Sequence, residues 1–203
     1  MGSLFIVNFE GINMTEHKPG WRSKVTRQDR AIDDDHWITA FLHQAATGTV
    51  ATVCDGQPFL STLLFVYDGT KRAIYFHAAR QGRLWENLQA GPQGQDAPVC
   101  FTASEMGRLL PARTAYNFSV EYQSVVVFGS AHLVETSEEA AHAMQMLLDK
   151  YFPHLQPDRD YQPSTPAEIE ATAVYRIDIE EWSGKRKAAA ADFPGAFYRE
   201  TNG

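Results

Sequence analysis

Apolar residues recur at helical spacing in a segment that follows a polar stretch over residues 14–32. Three aspartates at positions 33–35 precede this segment, and acidic residues favour the start of a helix. Gly48 follows it and is typical of a helix end. The pattern therefore predicts a helix over residues 34–47, with an apolar face made of Trp37, Ile38, Phe41, Leu42 and Ala45.

Strand-like apolar runs after this helix predict six strands. Asp55-Gly56 and Asp68-Gly69 mark turns between the first three runs, because both dipeptides favour the backbone conformations of tight turns. Gly129 interrupts the longest run and predicts a bulge or a barrel corner. The six predicted strands cover residues 49–54, 59–67, 72–78, 99–103, 122–134 and 172–182.

Short helices and loops complete the pattern. Ser137 is the predicted cap of a helix over 138–151, and Gly and Pro residues predict a loop over 90–98. A less regular stretch covers 104–118, and two further helical segments cover 81–89 and 168–171. Mostly antiparallel strands with peripheral helices indicate a mainly β, α+β fold built on a small barrel.

Composition narrows the class of protein. The chain has 203 residues, of which 44% are hydrophobic, so it can bury a substantial core. A net charge of −7 argues against a nucleic-acid partner, and no apolar run reaches the length of a membrane span. Cys54 and Cys100 lie in apolar runs of a chain without an export signal, which is typical of reduced core thiols and a cytoplasmic protein.

The chain divides into three parts. Residues 1–24 are predicted to be an N-terminal extension, and residues 187–203 a C-terminal tail that begins in a basic cluster. The intervening residues 25–186 hold every predicted strand and helix, so we expect them to form one domain.

The segment from Ala73 to Leu88, AIYFHAARQGRLWENL, carries the first chemical signal. A strand-like run ends at His77, and a Gly82-Arg83 pair then opens a helical pattern. Unpaired N–H groups at a helix start, with an arginine beside them, favour an anion. The sequence therefore predicts a phosphate-binding site at this junction.

Motifs for other chemistries are missing from the chain. It lacks a Walker loop and a GxGxxG fingerprint, which argues against ATP and against a Rossmann-bound dinucleotide. It also lacks HExxH and CxxC, and His36 and His43 are too far apart on one helix to share an ion. No metal site is expected from these spacings.

Three segments together resemble the pyridoxamine-phosphate-oxidase-like split-barrel flavoproteins, and within them the nitroimidazole-resistance (Nim-type) branch. They read TGTVATVCDGQPFLSTLLFVYDGTKRAIYFHAARQGRLWENL, VCFTASE and EYQSVVVFGSAHLVE, in order and with fitting loop lengths. The resemblance implies a six-stranded antiparallel split β-barrel that pairs into a homodimer, with FMN bound between the subunits.

The resemblance also implies which residues meet the flavin. The ring would lie along the second strand, the phosphate near the end of the third strand and the following helix, and the remaining contacts on the last two strands. The implied cofactor-binding residues are Thr62, Leu63, Leu64, Phe65, Phe76, His77, Gly82, Arg83, Ser124, Trp182 and Lys185.

Departures from the family pattern limit the expected activity. Leu60 and Phe65 stand where pyridoxamine phosphate oxidases carry basic residues, and their basic C-terminal motif is missing. Gln123 stands where Nim-like proteins often carry arginine. Oxidation of pyridoxamine phosphate itself is therefore not expected.

The expected function is that of an FMN-dependent oxidoreductase of the nitroreductase or flavin reductase type. It would take electrons from a reduced nicotinamide and pass them to a small acceptor such as a nitroaromatic, with His77 as the proton donor. Aromatic residues expected to stack on the acceptor are Phe65, Tyr116, Phe118 and Trp182.

Two alternatives remain open at this point. One is a non-catalytic flavin- or haem-binding module for storage, delivery or sensing, with His77 or His132 as a haem ligand. The other is a dimeric scaffold that has lost its flavin.

Overall fold

A computed structural model of the protein describes residues 20–89 and 96–199. The N-terminal extension predicted over 1–24 and the loop predicted over 90–98 therefore lie partly outside the described residues. The described part contains four α-helices: α1 (Asp35–Gln44), α2 (Arg83–Gln89), α3 (Ser137–Tyr151) and α4 (Pro166–Ala171). Its strands are β1 (Ala31–Ile32), β2 (Gly48–Cys54), β3 (Gln57–Leu63), β4 (Val66–Asp68), β5 (Ala73–Ala78), β6 (Ala97–Leu110), β7 (Ser119–Leu133) and β8 (Ala173–Lys187).

The six predicted strands were too few, since the described residues form eight. Each predicted run is present, but the run over 59–67 is broken at Leu64 and Phe65 into β3 and β4. The added strand, β1, pairs with the second half of β8. Helix α1 is shorter than the predicted 34–47, and its start is capped by the carboxylate of Asp34.

All eight strands belong to one antiparallel sheet whose order is β3-β2-β6-β7-β8-β5-β4, with β1 beside β8. Its first and last strands, β3 and β4, are separated in the chain only by Leu64 and Phe65. Leu63 and Val66 are three steps of the chain apart and can be at most about 11 Å from each other, so the sheet must curl until the end of β3 lies near the start of β4. The result is a barrel that is split between β3 and β4, as the mainly β prediction anticipated.

The long strands β6, β7 and β8 exceed their predicted lengths. Residues 104–118 were expected to be irregular, yet β6 continues to Leu110 and pairs with β7 along most of its length. The register of β7 with β8 shifts between Phe128 and Gly129, which confirms the predicted bulge. A Cβ atom on Gly129 would lie 2.1 Å from the carbonyl oxygen of Asp178, so only glycine allows this approach.

The turn between β2 and β3 forms as predicted. Asp55 and Gly56 have φ angles of 51° and 75°, and the flanking residues Cys54 and Gln57 are paired. Positive φ at both central residues is the signature of the two-residue turn that matches the twist of a hairpin.

Two clusters of buried residues hold the fold together. The barrel interior is filled by side chains from α1, from the last turn of α2 and from one face of the strands, among them Phe41, Phe65, Phe101 and Tyr175. Helix α3 covers the opposite face of β5 and the first half of β8, where Tyr75 is fully buried. The cap of α3 is Thr136, one residue before the predicted Ser137.

The C-terminal segment packs along the hairpin of β6 and β7. Leu109 and Phe197 exchange two backbone hydrogen bonds of 2.7 and 3.2 Å. The Arg108 guanidinium donates to the Glu121 carboxylate at 2.8 Å and to the carbonyl oxygen of Ala190 at 3.0 Å. None of the helices in the described ranges combines the length and the apolarity needed to cross a bilayer.

Candidate functional site

Strand β3 is an open edge of the sheet. Within the described ranges it pairs only with β2, so every second peptide unit along it directs its N–H and C=O groups away from the sheet. Thr62 and Leu64 are exposed at the end of this edge, and Leu63 packs against the barrel core. The stretch Thr62–Leu64 therefore offers free backbone hydrogen-bonding groups beside apolar side chains.

Tyr151, the last residue of α3, binds the backbone at the break between β3 and β4. The Tyr151 hydroxyl accepts a hydrogen bond from the Phe65 N–H at 3.1 Å and donates one to the Phe65 carbonyl oxygen at 2.9 Å. The Phe65 ring is fully buried against Phe101, at 4.8 Å between ring centroids. The backbone groups of Phe65 are thus already paired within the protein, whereas β3 is paired on one side only, with β2.

Lys150 supports the same break. Its ammonium donates to the Phe65 carbonyl oxygen at 3.0 Å and to the Leu42 carbonyl oxygen at 3.2 Å, and it lies 3.8 Å from the centroid of the Phe65 ring. Burial lowers the pKa of Lys150 to about 8. Sequence reasoning missed both Lys150 and Tyr151, because no local pattern connects the end of α3 to a residue 85 or more positions earlier.

Three of the predicted cofactor residues share the outer face of the barrel. Paired residues lie on the same side of a sheet, and the face alternates along each strand. Thr62 contacts its partner Thr49 on β2, at 3.0 Å between the hydroxyl oxygens. Ser124 lies on β7, which is two strands beyond β2 in the sheet, and it is paired with Lys185 on the next strand, β8. Both fall on the face that carries Thr62.

Arg83 lies at the other end of β3. Its guanidinium is 5.5 Å from the centroid of the Phe59 ring, three residues before Thr62. Gly82 precedes it with a φ of +88°, and α2 is fixed by a buried hydrogen bond of 2.8 Å from Asn87 to Thr52. The side chain borders a cavity of about 260 Å³ lined by Cys54, Asp55, Gln57, Arg83, Glu86 and Asn87.

His77 and Phe76 point to opposite sides of β5. Phe76 is fully buried and stacks on Tyr175, at 5.3 Å between ring centroids. The His77 side chain is exposed, and its backbone is paired with Val174 on β8. His77 is thus accessible near the end of the strand that leads into α2.

Trp182 faces α1 rather than the outer face. Its indole N–H donates to the Asp35 carboxylate at 2.8 Å, and the Arg72 guanidinium lies 4.2 Å above its ring. It borders a cavity of about 690 Å³ formed with the segment 20–38. Arg72, which has a φ of 51°, was not singled out from the sequence.

The aromatic residues expected to stack on an acceptor occupy different surroundings. Phe65 is part of the core, and Trp182 is engaged by Asp35 and Arg72. Tyr116 and Phe118 are exposed in the segment that connects β6 with β7.

Known proteins resemble this fold and its sequence. The family model described as pyridoxamine 5'-phosphate oxidase matches residues 34–186. The flavocytochrome Anf3 of Azotobacter vinelandii is 26% identical and has a TM-score of 0.69, over 89% of this chain and 86% of its own.

Two further solved structures share the fold. An FAD- and haem-binding protein of Mycobacterium smegmatis is 20% identical, with a TM-score of 0.68 over 79% of this chain and 74% of its own. A candidate 5-nitroimidazole antibiotic resistance protein of Bacteroides thetaiotaomicron is 21% identical, with a TM-score of 0.61 over 77% of this chain and 86% of its own. A search of curated proteins finds no match. Because the family model covers most of the chain and its barrel, the protein belongs to the pyridoxamine 5'-phosphate oxidase family.

Proposed function

We propose that this protein binds FMN and works as a homodimeric oxidoreductase that transfers electrons from a reduced nicotinamide to a small apolar acceptor such as a nitroaromatic. Family membership and the similarity to a flavocytochrome support a flavin as the cofactor. The observation that carries the proposal is the open edge of β3 at Thr62–Leu64.

The open edge fits the ring of a flavin. The pyrimidine end of that ring presents alternating donors and acceptors, which match the free N–H and C=O groups of an edge strand. Leu64 is exposed there and offers an apolar surface to the rest of the ring. Tyr151 and Lys150 occupy the backbone of Phe65, so the pairing is assigned to Thr62, Leu63 and Leu64.

A basic side chain beside β3 suits the phosphate. Arg83 is exposed and lies over Phe59 rather than against a carboxylate, so its guanidinium fork is available to an anion. We assign the phosphate to Arg83 together with the backbone beside Gly82, and we propose that His77, in β5, contacts the flavin. Ser124 and Lys185 would contact the flavin from the outer face, and Phe76 and Trp182 would support these contacts from behind.

The outer face supports a homodimer. Val53, Leu60 and Met106 are apolar residues on this face, with exposed fractions of 60%, 64% and 55%. Partly buried Cys100 and Val126 lie on the same face, on β6 and β7. Exposed apolar residues of this kind favour association, and a second copy would cover a flavin bound along β3.

The chemistry divides between cofactor and protein. The flavin, when bound, supplies hydride transfer, so few catalytic side chains are required. The imidazole of His77 is exposed, and we assign it as the proton donor to the acceptor. The apolar surroundings of β3 would exclude water from the acceptor.

A second candidate function is a flavin- and haem-binding module without turnover. It is favoured by the similarity to a flavocytochrome over most of both chains. Under this alternative the protein would show haem absorption in addition to, or in place of, flavin absorption.

An absorption spectrum of the purified protein, before and after addition of FMN and desalting, tests the proposal. Retained flavin bands, followed by their bleaching with reduced nicotinamide and recovery with a nitroaromatic, are expected. A Soret band without such turnover would establish the second candidate. A colourless protein that retains no flavin would contradict both functions.

The placement of the phosphate has its own test. Arg83→Ala should weaken FMN binding by about 1.5–3 kcal/mol, the scale for hydrogen bonds to a charged group. Arg113→Ala, at an exposed arginine outside the site, serves as the matched control. Equal FMN affinity in both variants would show that the phosphate lies elsewhere.

A further inference from the structure

Three potential ligands meet on adjacent strands, away from β3. Asp96 immediately precedes β6, His132 lies near the end of β7, and Asp178 lies in the first half of β8. The Nδ1 atom of His132 is 3.4 Å from an Asp96 carboxylate oxygen and 3.6 Å from an Asp178 carboxylate oxygen. One ligand atom from each residue falls within 4.8 Å of the other two.

The spacing is wrong for hydrogen bonds and right for shared ligands. A nitrogen and an oxygen joined by a hydrogen bond lie about 2.7–3.2 Å apart. Two ligands on one tetrahedral ion, with bonds of about 2.0–2.2 Å, are separated by about 3.4 Å. Among the described residues, His132 Nδ1 is also a buried side-chain atom without a hydrogen-bond partner, although it faces two carboxylates.

The bulge at Gly129 creates this arrangement. Beyond it, Ser130 is paired with Asp178 and His132 with Arg176. Had the pairing of Phe128 with Glu181 continued without a shift, Asp178 would stand opposite Ala131, a buried residue of the inner face. The bulge therefore turns Asp178 to the outer face, which is where His132 lies.

A neighbouring side chain orients one of the ligands. The Arg176 guanidinium donates to Oδ1 of Asp178 at 2.8 Å and leaves Oδ2 directed at His132. Hydrogen bonds of this kind fix the direction of a metal-ligating carboxylate. The same guanidinium partly offsets the negative charge of the two aspartates, and it also lies 3.4 Å from the Glu139 carboxylate.

We propose that Asp96, His132 and Asp178 form a binding site for a divalent transition-metal ion of the zinc class. Imidazole and carboxylate ligands suit such ions, and three protein ligands leave a fourth position for water. The side chain of His132 is 28% exposed and that of Asp96 54% exposed, which gives the ion and the water access from solvent. Because the three ligands come from distant parts of the chain, no sequence motif predicts the site.

Cobalt and zinc titrations of the full-length protein test the site. The protein is first dialysed against a chelator and then titrated with Co²⁺, which absorbs visible light strongly when bound by four ligands. One Co²⁺ per chain, displaced by Zn²⁺, is expected. An increase of the melting temperature with Zn²⁺ provides a second readout, since a ligand of the native state stabilises it.

Variants locate the ion. His132→Ala and Asp96→Asn should each weaken Co²⁺ binding at least tenfold, and Asp96→Asn does so at a half-exposed position without changing the size of the side chain. His142→Ala, at an exposed histidine of α3, is the matched control and should bind as the unchanged protein does. Affinity no tighter than millimolar in the unchanged protein, or affinity that survives both ligand substitutions, would overturn the proposal.

Discussion

The two ends of α3 each bring a charged side chain onto the sheet, and the surroundings of the two charges differ. Near the start of the helix, the Glu139 carboxylate accepts hydrogen bonds from Lys71 at 2.7 Å and from the Tyr75 hydroxyl. Arg176 lies 3.4 Å away. The hydrogen bond from Lys71, followed by that from Tyr75, lowers the pKa of Glu139 to about 2.

At the end of the helix, Lys150 meets only carbonyl oxygens and aromatic rings. Among the described residues no carboxylate forms an ion pair with it. Its pKa is lowered to about 8 because burial disfavours the charged amine and no anion compensates. The same helix therefore carries one charge that its partners stabilise and one that its burial destabilises.

The difference follows from what each end holds. Glu139 joins α3 to β5 and β8, which are continuous strands with side chains available as partners. Lys150 and Tyr151 hold the break between β3 and β4, where the unpaired groups belong to the backbone of Phe65. A backbone carbonyl oxygen needs a hydrogen-bond donor rather than an opposite charge. Lys150 supplies that donor to Phe65, and its burial without an anionic partner lowers the stability of the fold.

Removing the compensated charge should have the largest effect. Glu139→Gln replaces the acceptor shared by Lys71, Tyr75 and Arg176, and should lower the free energy of unfolding by about 1.5–3 kcal/mol. Urea denaturation at pH 7 measures it. Glu138→Gln, at the exposed neighbour, should change little. Equal losses in the two variants would show that the contacts of Glu139 contribute nothing specific.

The same variant should change the dependence of stability on pH. The folded-state pKa of Glu139 is about 2, below the ordinary 4.5, so its contribution is present above pH 4.5 and is lost as the pH falls toward 2. The unchanged protein should therefore lose more stability than Glu139→Gln between pH 4.5 and 2.5. Parallel curves for the two proteins would contradict the low pKa.

Breaking the other end should cost less stability but reach the candidate site. Tyr151→Phe leaves the Phe65 N–H without its partner, which costs about 1–2 kcal/mol of unfolding free energy. The variant should also weaken FMN binding, because the backbone next to Thr62–Leu64 loses its support. Tyr116→Phe removes a hydroxyl from a fully exposed ring and is the matched control. Full FMN affinity in Tyr151→Phe would show that the backbone at the break does not support the cofactor site.

The sequence predicts those parts of the fold that depend on the conformational preferences of one or two adjacent residues. The Asp55-Gly56 turn was recognisable because both residues adopt a backbone conformation that few others tolerate. Gly129 was recognisable for a similar reason, since another chain segment approaches too closely for a side chain.

The break at Leu64 and Phe65 could not be predicted, because the apolar run continues through it and its cause, Tyr151, lies on a distant helix. The ends of β6 and β8 were missed for the same physical reason. Leu110 and Lys187 are strand residues because they pair with β7, and neither neighbourhood has a strand-like composition of its own. The same holds for the cluster of Asp96, His132 and Asp178, which only the sheet brings together.

The uncompensated lysine gives the smallest effect and the most direct test of the comparison. Between pH 8 and 10.5 the unfolded chain keeps a proton on Lys150 that the folded chain has released, so this residue contributes a rise of stability with pH in this interval. The raised pKa values of Cys100 and Tyr75 act in the opposite direction, so the rise is measured as the difference between the unchanged protein and a variant. Lys150→Met should remove that rise while changing the unfolding free energy at pH 7 by less than about 1 kcal/mol, since lost hydrogen bonds offset the relieved burial. Lys24→Met, at an exposed lysine, should keep the rise. A rise that persists in Lys150→Met would mean that the amine keeps its ordinary pKa, and that both ends of α3 carry fully stabilised charges.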